Sequence, residues 1–519
     1  MKLPRPEPKR LLLVALSAIG MVLSCPDWDQ FWLGYLMWIP YFAAIEGLPA
    51  KKAFGYAWLV GIITVFWGFF WMSQLLTKFA GFPLIAAMPV TLLFAMWHGL
   101  LWGLSAVLIT HARARTNLPL WVVAPVCWIA VEATLPNIFP IYMAHAWCWQ
   151  PLLMQTAELG GVTMVSGIMV ATNAVLYTLL RARLDGRTPA RRDAIALAVL
   201  VLGNPAYGAL RIAQVEAQIE DAPKLRFGVV QGNMSIMQMA NPEQRRRVLA
   251  AEQAKTAELQ AQGAQVALWG ETAYPNPRAF TRQSQTDLPE KNPWHVQRGF
   301  DIPVIFGTVT RDETGREPYP FNTAILLDGD GKIAGTYDKV YRLMFGEYAP
   351  LVDPKWYLEK VPSASHIAQG KGAGVLQLGP WRLGPFICYE DILPRFVRDA
   401  ANQDVNAFVN LTNDAWFGKT AEPAQHLGLA VFRAVEHRKP MVRSVNTGVS
   451  VYIDPTGRAH DKTRVTDPDV EGPQPPDGFA VDVPMMDPTS RTLYGLTGEG
   501  FDALCVLGVV AMLWRRKKS

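Results

Sequence analysis

Hydrophobic positions follow two different patterns along the chain. Through about residue 210 they come in long runs, near 11–24, 31–47, 55–77, 83–110, 118–134, 161–180 and 194–210, which predict seven helices able to cross a hydrocarbon layer about 30 Å thick. An eighth run, Ala503 to Trp514, is short and needs Phe501 or a thinned bilayer to reach across. From about Ala222 to Pro488 short β-rich runs alternate with amphipathic stretches. Leu225–Val230, Gln265–Trp269, Pro303–Val309, Phe321–Leu327, Leu383–Ile387 and Val405–Leu411 read as strands, several apolar on both faces and so buried between layers. Asn241–Gly263, with Pro242 near its start and Gly263 at its end, reads as a helix, and further helices fall near Leu393–Asn402 and Ala421–Arg438. Such alternation predicts an α/β layered domain. Val465–Gly478, rich in Pro, Asp and Gly, reads as a loop or linker.

Composition supports the division. Charged residues make up 18% of the 519, but about 10% of the first 210 and about 23% of the rest, an ordinary soluble value. The two parts therefore meet different solvents. Half the chain is apolar and only five cysteines occur, which excludes a disordered chain, a collagen-like fibre and a disulfide scaffold. The net charge of +5 comes from short basic clusters between apolar runs, not from one patch, so a nucleic-acid partner is not expected. The organisation expected is a helical membrane domain over 1–215, a soluble block over 222–488, and a last span with a basic tail over 489–519.

The basic clusters also set an orientation. Lys2, Arg5, Lys9 and Arg10, then Lys51 and Lys52, Arg113 and Arg115, Arg181 to Arg192, and finally Arg515 to Lys518 alternate with loops holding only Lys78. By the positive-inside bias both termini are cytoplasmic and the soluble block lies outside, in the periplasm of a bacterial cell. Trp28, Trp32, Trp38, Trp58, Trp71, Trp147 and Trp149 fall near span ends, where indoles favour the interface. Lys9-Arg10 before Leu11–Ser24 also fits a signal peptide, with Val22-Leu23-Ser24-Cys25 as a poor lipoprotein box; later topology is the same either way. Glu132 and His98 sit inside predicted spans, where hydrogen bonding within the bundle is expected of them.

Chemistry enters at Cys388, which ends a strand just before Tyr389-Glu390-Asp391 lead into a helix. Backbone N–H groups and the positive helix end there favour a thiolate nucleophile, although a lone Cys is commonly a small buried apolar residue. It is the only Cys of the soluble block, so it has no disulfide partner there. None of His295, His366, His426, His437 or His460 is spaced as its base. Glu271 and Glu347, each after a strand-like run, are carboxylate candidates, and Lys339 lies between them.

Glu271, Lys339 and Cys388, in that order, resemble the Glu-Lys-Cys triad of the nitrilase (carbon–nitrogen hydrolase) superfamily, whose fold is an αββα sandwich. Val230-Gln231-Gly232-Asn233, Phe345-Gly346-Glu347-Tyr348, Ile387-Cys388-Tyr389-Glu390, Asn410 to Gly418, Gln425-His426 and Arg443 to Ser450 are similar to the apolipoprotein N-acyltransferase family. Its pattern of eight spans, with the nitrilase-like block before the last, covers the whole chain. Gly270, where the family more often has Pro or Ser, and Met239-Ala240, where many members carry an aromatic residue, depart from that pattern.

The resemblance implies a ping-pong acyl transfer in a bacterial inner membrane. Glu271 takes a proton from Cys388, whose thiolate attacks an acyl ester of a phospholipid. Lys339 and a backbone N–H near Tyr389 stabilise the oxyanion. The thioester then passes to the α-amine of a diacylated apolipoprotein N-terminus. Glu347 is implied as the second carboxylate, Glu390 as a support of the turn, and no cofactor or metal is required. The apolar loop Phe345–Trp356 either dips toward lipid or packs on the domain. Two rival readings stand beside this one: a membrane-tethered amidase or nitrilase that passes its acyl group to water, and a transporter or scaffold whose block only binds.

Overall fold

The long apolar runs form helices and the alternating block forms sheets in a computed structural model, which describes residues 7–234, 241–361, 364–464 and 474–515. Two units result, one of Met1–Gln74, Pro83–Gln214 and Thr492–Ser519 and the other of Leu75–Phe82 and Val215–Arg491. The departure at Met239-Ala240, most of the linker 465–478 and the tail beyond Arg515 lie outside the described residues.

In the helical unit Leu84–Arg115, Ala157–Leu184 and Arg191–Asp221 are long and apolar enough to cross a membrane. Ala50–Gly68 and Trp71–Lys78, bent by 51°, make up to four if counted as one span, while Phe31–Ile45, Leu120–Thr134 and Gly500–Trp514 are shorter. The expected eight full-length spans are thus only partly present among the described residues. Hydropathy cannot see where the backbone turns. Run 31–47 divides into a 3-10 turn, Phe31–Tyr35, and a helix, Trp38–Ile45, and run 55–77 bends where Phe69 leaves the helix with φ −115°.

Packing there follows membrane-protein rules. A Cβ added to Gly61 would lie 2.7 Å from the Cα of Gly99, so Ala50–Gly68 and Leu84–Arg115 approach as only small residues allow. Trp128 packs edge-on against Trp38 and Trp102, with ring centroids 4.5 and 5.3 Å away. Of the tryptophans expected at the interface, Trp38, Trp71 and Trp147 are instead buried, while Trp28 and Trp32 are exposed. For Trp147 an internal acceptor relieves the indole of its need for water, since its Nε1 donates to the Phe31 carbonyl. Glu132 accepts from Trp128 Nε1, the Met143 N–H and Ser166 Oγ, the bundle hydrogen bonding expected of it.

The second unit contains strands β1 (Lys224–Gln231), β2 (Val266–Trp269), β3 (Val304–Thr310), β4 (Phe321–Leu327), β5 (Ile333–Asp338), β6 (Leu376–Leu378), β7 (Trp381–Ile387), β8 (Ala407–Thr412), β9 (Met441–Val445), β10 (Val451–Ile453), β11 (Ala459–His460) and β12 (Asp477–Pro484). They form two six-stranded sheets, ordered β12-β1-β2-β3-β4-β5 and β11-β10-β9-β8-β7-β6. β1, β2 and β3 run parallel, as do β7, β8 and β9, and the flanking pairs are antiparallel. All six expected strands occur. The others were missed because they are short, at sheet edges or polar in composition; β9 carries Arg443 and Ser444 yet is wholly buried.

Helix Pro242–Ala261 starts where the Asn241 side chain accepts from the N–H groups of Glu243 and Gln244. It sets Leu249 and Leu259 into a core with Trp269 and Phe306. Across the second sheet, Phe396 of helix Pro394–Ala401 meets Phe386, and His437 of helix Glu422–His437 meets Phe408. The layers read helix–sheet–sheet–helix. Where the inner faces meet, Ser444 Oγ donates to the Val230 carbonyl at 2.7 Å and the Asn233 N–H to the Asn446 carbonyl at 2.8 Å. The Gln231-Gly232-Asn233 and Arg443–Ser450 motifs are thus a latch between sheets.

Candidate active site

Chain reversals at the carboxyl ends of the parallel strands leave backbone groups and side chains free to face a ligand, the usual location of an α/β site. Glu271 follows β2 there. Its N–H donates to the Thr412 carbonyl at 3.2 Å, at the end of β8 in the other sheet. The turn needs glycine for space: a Cβ on Gly270 would sit 2.8 Å from the Asn446 nitrogen, and one on Gly307 would sit 2.5 Å from the Thr272 nitrogen. Gly270 therefore lets the strand ends of two sheets close around Glu271.

Lys339 follows β5 and is buried, 1% exposed. Its Nζ donates to Glu347 Oε1 at 2.7 Å and Glu271 Oε1 at 3.2 Å. Glu347, half-buried in the loop beyond, takes the Leu343 N–H on its other oxygen at 2.8 Å. The three residues singled out from sequence are thus in one cluster. Asn322, which sequence reasoning missed, joins them: its Nδ2 donates to Glu271 Oε1 at 2.7 Å and lies 3.5 Å from Glu347 Oε1. A lone amide in the largely apolar run Phe321–Leu327 was the available signal.

Cys388 directly follows β7, opening a 3-10 turn with φ +58°, a left-handed conformation that costs a non-glycine residue of order 1–3 kcal/mol and persists where its surroundings fix it. Asn410 Nδ2 donates to its carbonyl at 3.1 Å. The next two residues anchor the turn. Tyr389 OH donates to the Arg342 carbonyl at 3.0 Å. Buried Glu390 accepts four donors, the N–H groups of Val340, Tyr341 and Ile387 and the Tyr337 hydroxyl, at 2.6 to 2.9 Å. Burial pushes its pKa up to about 7, while four donors and no acceptor around it favour the carboxylate.

Electrostatics correct one expectation. The strand-to-helix turn was expected to favour thiolate, yet Cys388 lies well above the ordinary thiol range, first because of burial and then because of the Glu271 carboxylate, with Lys339 opposing. It rests as a thiol and needs a base. Glu271 is raised as well, by burial and by Glu347, against the pull of Lys339, and so approaches the basicity of a useful proton acceptor. Burial lowers Lys339, but Cys388, Glu271 and Glu347 outweigh it and hold the ammonium charged. Lys339 is therefore suited to stabilising negative charge, not to accepting a proton.

Residues 227–471 match the carbon–nitrogen hydrolase family, and residues 17–175 match the apolipoprotein N-acyltransferase N-terminal domain. An apolipoprotein N-acyltransferase of Geobacter metallireducens is 27% identical over 98% of this chain and 96% of its own. One of Pseudomonas syringae pv. tomato is 28% identical over 86% of this chain and 87% of its own. The chain belongs to the apolipoprotein N-acyltransferase family. A solved amidase from Nesterenkonia sp. is 21% identical over 51% of this chain and 93% of its own, with a TM-score of 0.35. Membership in the N-acyltransferase family joins the two units in one enzyme, an acyltransferase of lipoprotein biosynthesis built on a carbon–nitrogen hydrolase domain.

Proposed function

We propose that Cys388 accepts an acyl chain from a phospholipid as a thioester and delivers it to the α-amino group of the N-terminal S-diacylglyceryl-cysteine of an apolipoprotein. The observation that carries this reading is the Glu271–Lys339–Glu347 set, with Glu271 and Lys339 buried, in electrostatic reach of the Cys388 thiol on its strained turn. Glu271 takes the thiol proton as sulfur attacks the ester carbonyl. Lys339 stabilises the oxyanion, and the tetrahedral intermediate collapses with Glu271 returning the proton to the departing lysophospholipid oxygen. The amine then attacks the thioester and gives a proton to Glu271, which passes it to sulfur as the amide forms and Cys388 is regenerated. Glu347 positions Lys339, while Glu390 and Tyr389 hold the turn.

Large exposed apolar side chains support a lipid substrate. Among the described residues between Val215 and Arg491, all six lie from Tyr341 to Trp356: Tyr341, Met344, Phe345, Leu351, Val352 and Trp356. A soluble surface has no use for such a patch, and this one is continuous with the loop that carries Glu347. It favours the loop meeting lipid over the loop packing on its own domain. With the basic clusters it supports a multi-pass inner-membrane protein of about eight spans, over 1–215 and 489–519, with the block 222–488 in the periplasm.

The deciding experiment incubates the purified protein with phospholipid and a diacylated lipopeptide and weighs the lipopeptide. A gain of one acyl mass is expected. Free fatty acid released without a gain by the lipopeptide would instead mark a hydrolase.

A further inference from the structure

Two of the sequence motifs, Asn413 to Gly418 with Gln425-His426 and the arginine that opens Arg443–Ser450, have no part in the chemistry above. The fold gathers their charges behind the nucleophile. Asp391 Oδ1 lies 3.0 Å from His426 Nε2. His426 Nδ1 lies 3.6 Å from Asp414 Oδ1 and 3.7 Å from Glu422 Oε1. Arg443 reaches both aspartates, with Nε 3.7 Å from Asp391 and Nη2 3.7 Å from Asp414. All five side chains are buried.

Asp414, Glu422 and His426 have ligand atoms within 4.8 Å of one another, close enough to share a cation, an arrangement that sequence spacing did not reveal. The Arg443 guanidinium already supplies positive charge to Asp414 there, which argues against a metal and for an internal charge cluster.

We propose that His426, held as an imidazolium between Asp391 and Asp414, is a positioning residue that fixes the strained Cys388 turn to the second sheet. The geometry favours the charge. Nε2 lies 3.0 Å from Asp391 Oδ1 and Nδ1 lies 3.6 Å from Asp414 Oδ1, so both ring nitrogens face carboxylate oxygens that stabilise a doubly protonated ring. With Glu422 protonated, two cations, His426 and Arg443, balance two anions, Asp391 and Asp414. Burial and Arg443 pull the His426 pKa down, but the charge and hydrogen bond of Asp391, with Asp414 close by, carry it to about 9. Glu422 is pushed up to about 8, by burial and then by Asp414.

The location gives the cluster its role. Glu390 and Asp391 are consecutive, and they tie the turn in opposite directions. Glu390 binds Tyr337 at β5 and the backbone just beyond it; Asp391 binds helix Glu422–His437 and β9. Asp414 joins the Asn413–Phe417 turn to the same histidine. Loss of the His426 charge would leave Asp391 and Asp414 with one cation between them and release one side of the Cys388 turn, while the Glu271–Lys339–Glu347 set, bonded elsewhere, stays assembled.

The inference rests on the acyltransferase reading only for its rate measurement. In full-length protein in detergent, His426→Gln is expected to lower the single-turnover rate of acyl transfer from phospholipid to Cys388 by at least about tenfold, with KM for the lipid unchanged. The rate of Cys388 alkylation by iodoacetamide, located by peptide mass, should fall with it. Adding Asp391→Asn to His426→Gln should slow the enzyme by less than the product of the two single losses, because the 3.0 Å contact between them is shared and only the longer Arg443 contact is Asp391's own. Wild-type-like rates in a folded His426→Gln protein, or additive losses in the double variant, would overturn the proposal. If the variant does not fold, hydrogen–deuterium exchange at the histidine C2 position of the wild-type protein reads the same ring directly. Titration of His426 above pH 8 is expected, and a ring neutral at pH 7 would overturn the proposal. A wild-type enzyme that alkylates at Cys388 but takes no acyl group would instead defeat the acyltransferase reading alone.

Discussion

The two units use the same side chains in opposite ways. The helical unit leaves large apolar groups such as Ile85, Leu184, Leu202 and Trp514 open over much of its surface. Among the described residues the α/β unit, from Val215 onward, confines such groups to Tyr341–Trp356 and places its unusual features inside: Lys339 between two carboxylates, and His426 and Arg443 among three more. Exposed apolar area is stable only where the solvent is lipid, and buried charge only where partners are fixed. In the function proposed above, that exposed loop is the part of the α/β unit that meets lipid, and Glu347, which binds Lys339, sits in it.

Removing the chemistry should show the contrast at its largest. Cys388→Ala is expected to abolish acyl transfer and leave no lipid adduct detectable by intact-protein mass spectrometry. Glu271→Gln keeps the shape but loses the base, so the single-turnover acylation rate should fall by about 10²–10⁴-fold. The pH profile sharpens this. Acylation needs ionised Glu271, whose pKa is raised, so the rate should fall as pH drops, on a limb lying above that of an ordinary glutamate. Glu347 is one cause of the rise, so Glu347→Gln should move the limb of the remaining activity to lower pH.

Changes at the lipid-facing loop should be smaller and of another kind. Leu351→Asp with Trp356→Ser is expected to raise KM for phospholipid vesicles several-fold while sparing turnover of a short water-soluble thioester or ester. Equal loss on both donors would break the link between the loop and lipid. The smallest effect is expected in the helical unit. Glu132 serves there as a hydrogen-bond acceptor, a role glutamine can fill, so Glu132→Gln should shift the melting temperature by less than about 4 °C.

Much of this was legible in residue order. Period and run length located the strands that carry the site, because a strand buried on both faces is mostly apolar, as in Phe321–Leu327 and Val405–Leu411. The resemblance brought Glu271, Lys339, Cys388, Glu347, Tyr389 and Glu390 forward together. Asn322 was hidden because one amide in an apolar strand carries no spacing signal. The full count of spans was hidden because a bend at Phe69 or a 3-10 turn at Phe31–Tyr35 changes the path of the backbone without changing its hydropathy.

By itself the sequence determined which parts of the chain seek lipid and which seek water, since that follows from transfer free energies summed over local runs. It also determined which side chains are able to do chemistry. Only the tertiary structure decided their protonation. Cys388 rests as a thiol, Lys339 stays charged and His426 takes a second proton because strands and a helix distant in the chain bring burial and opposing charges to within a few ångströms, where electrostatic energy depends on distance and desolvation and not on order along the chain.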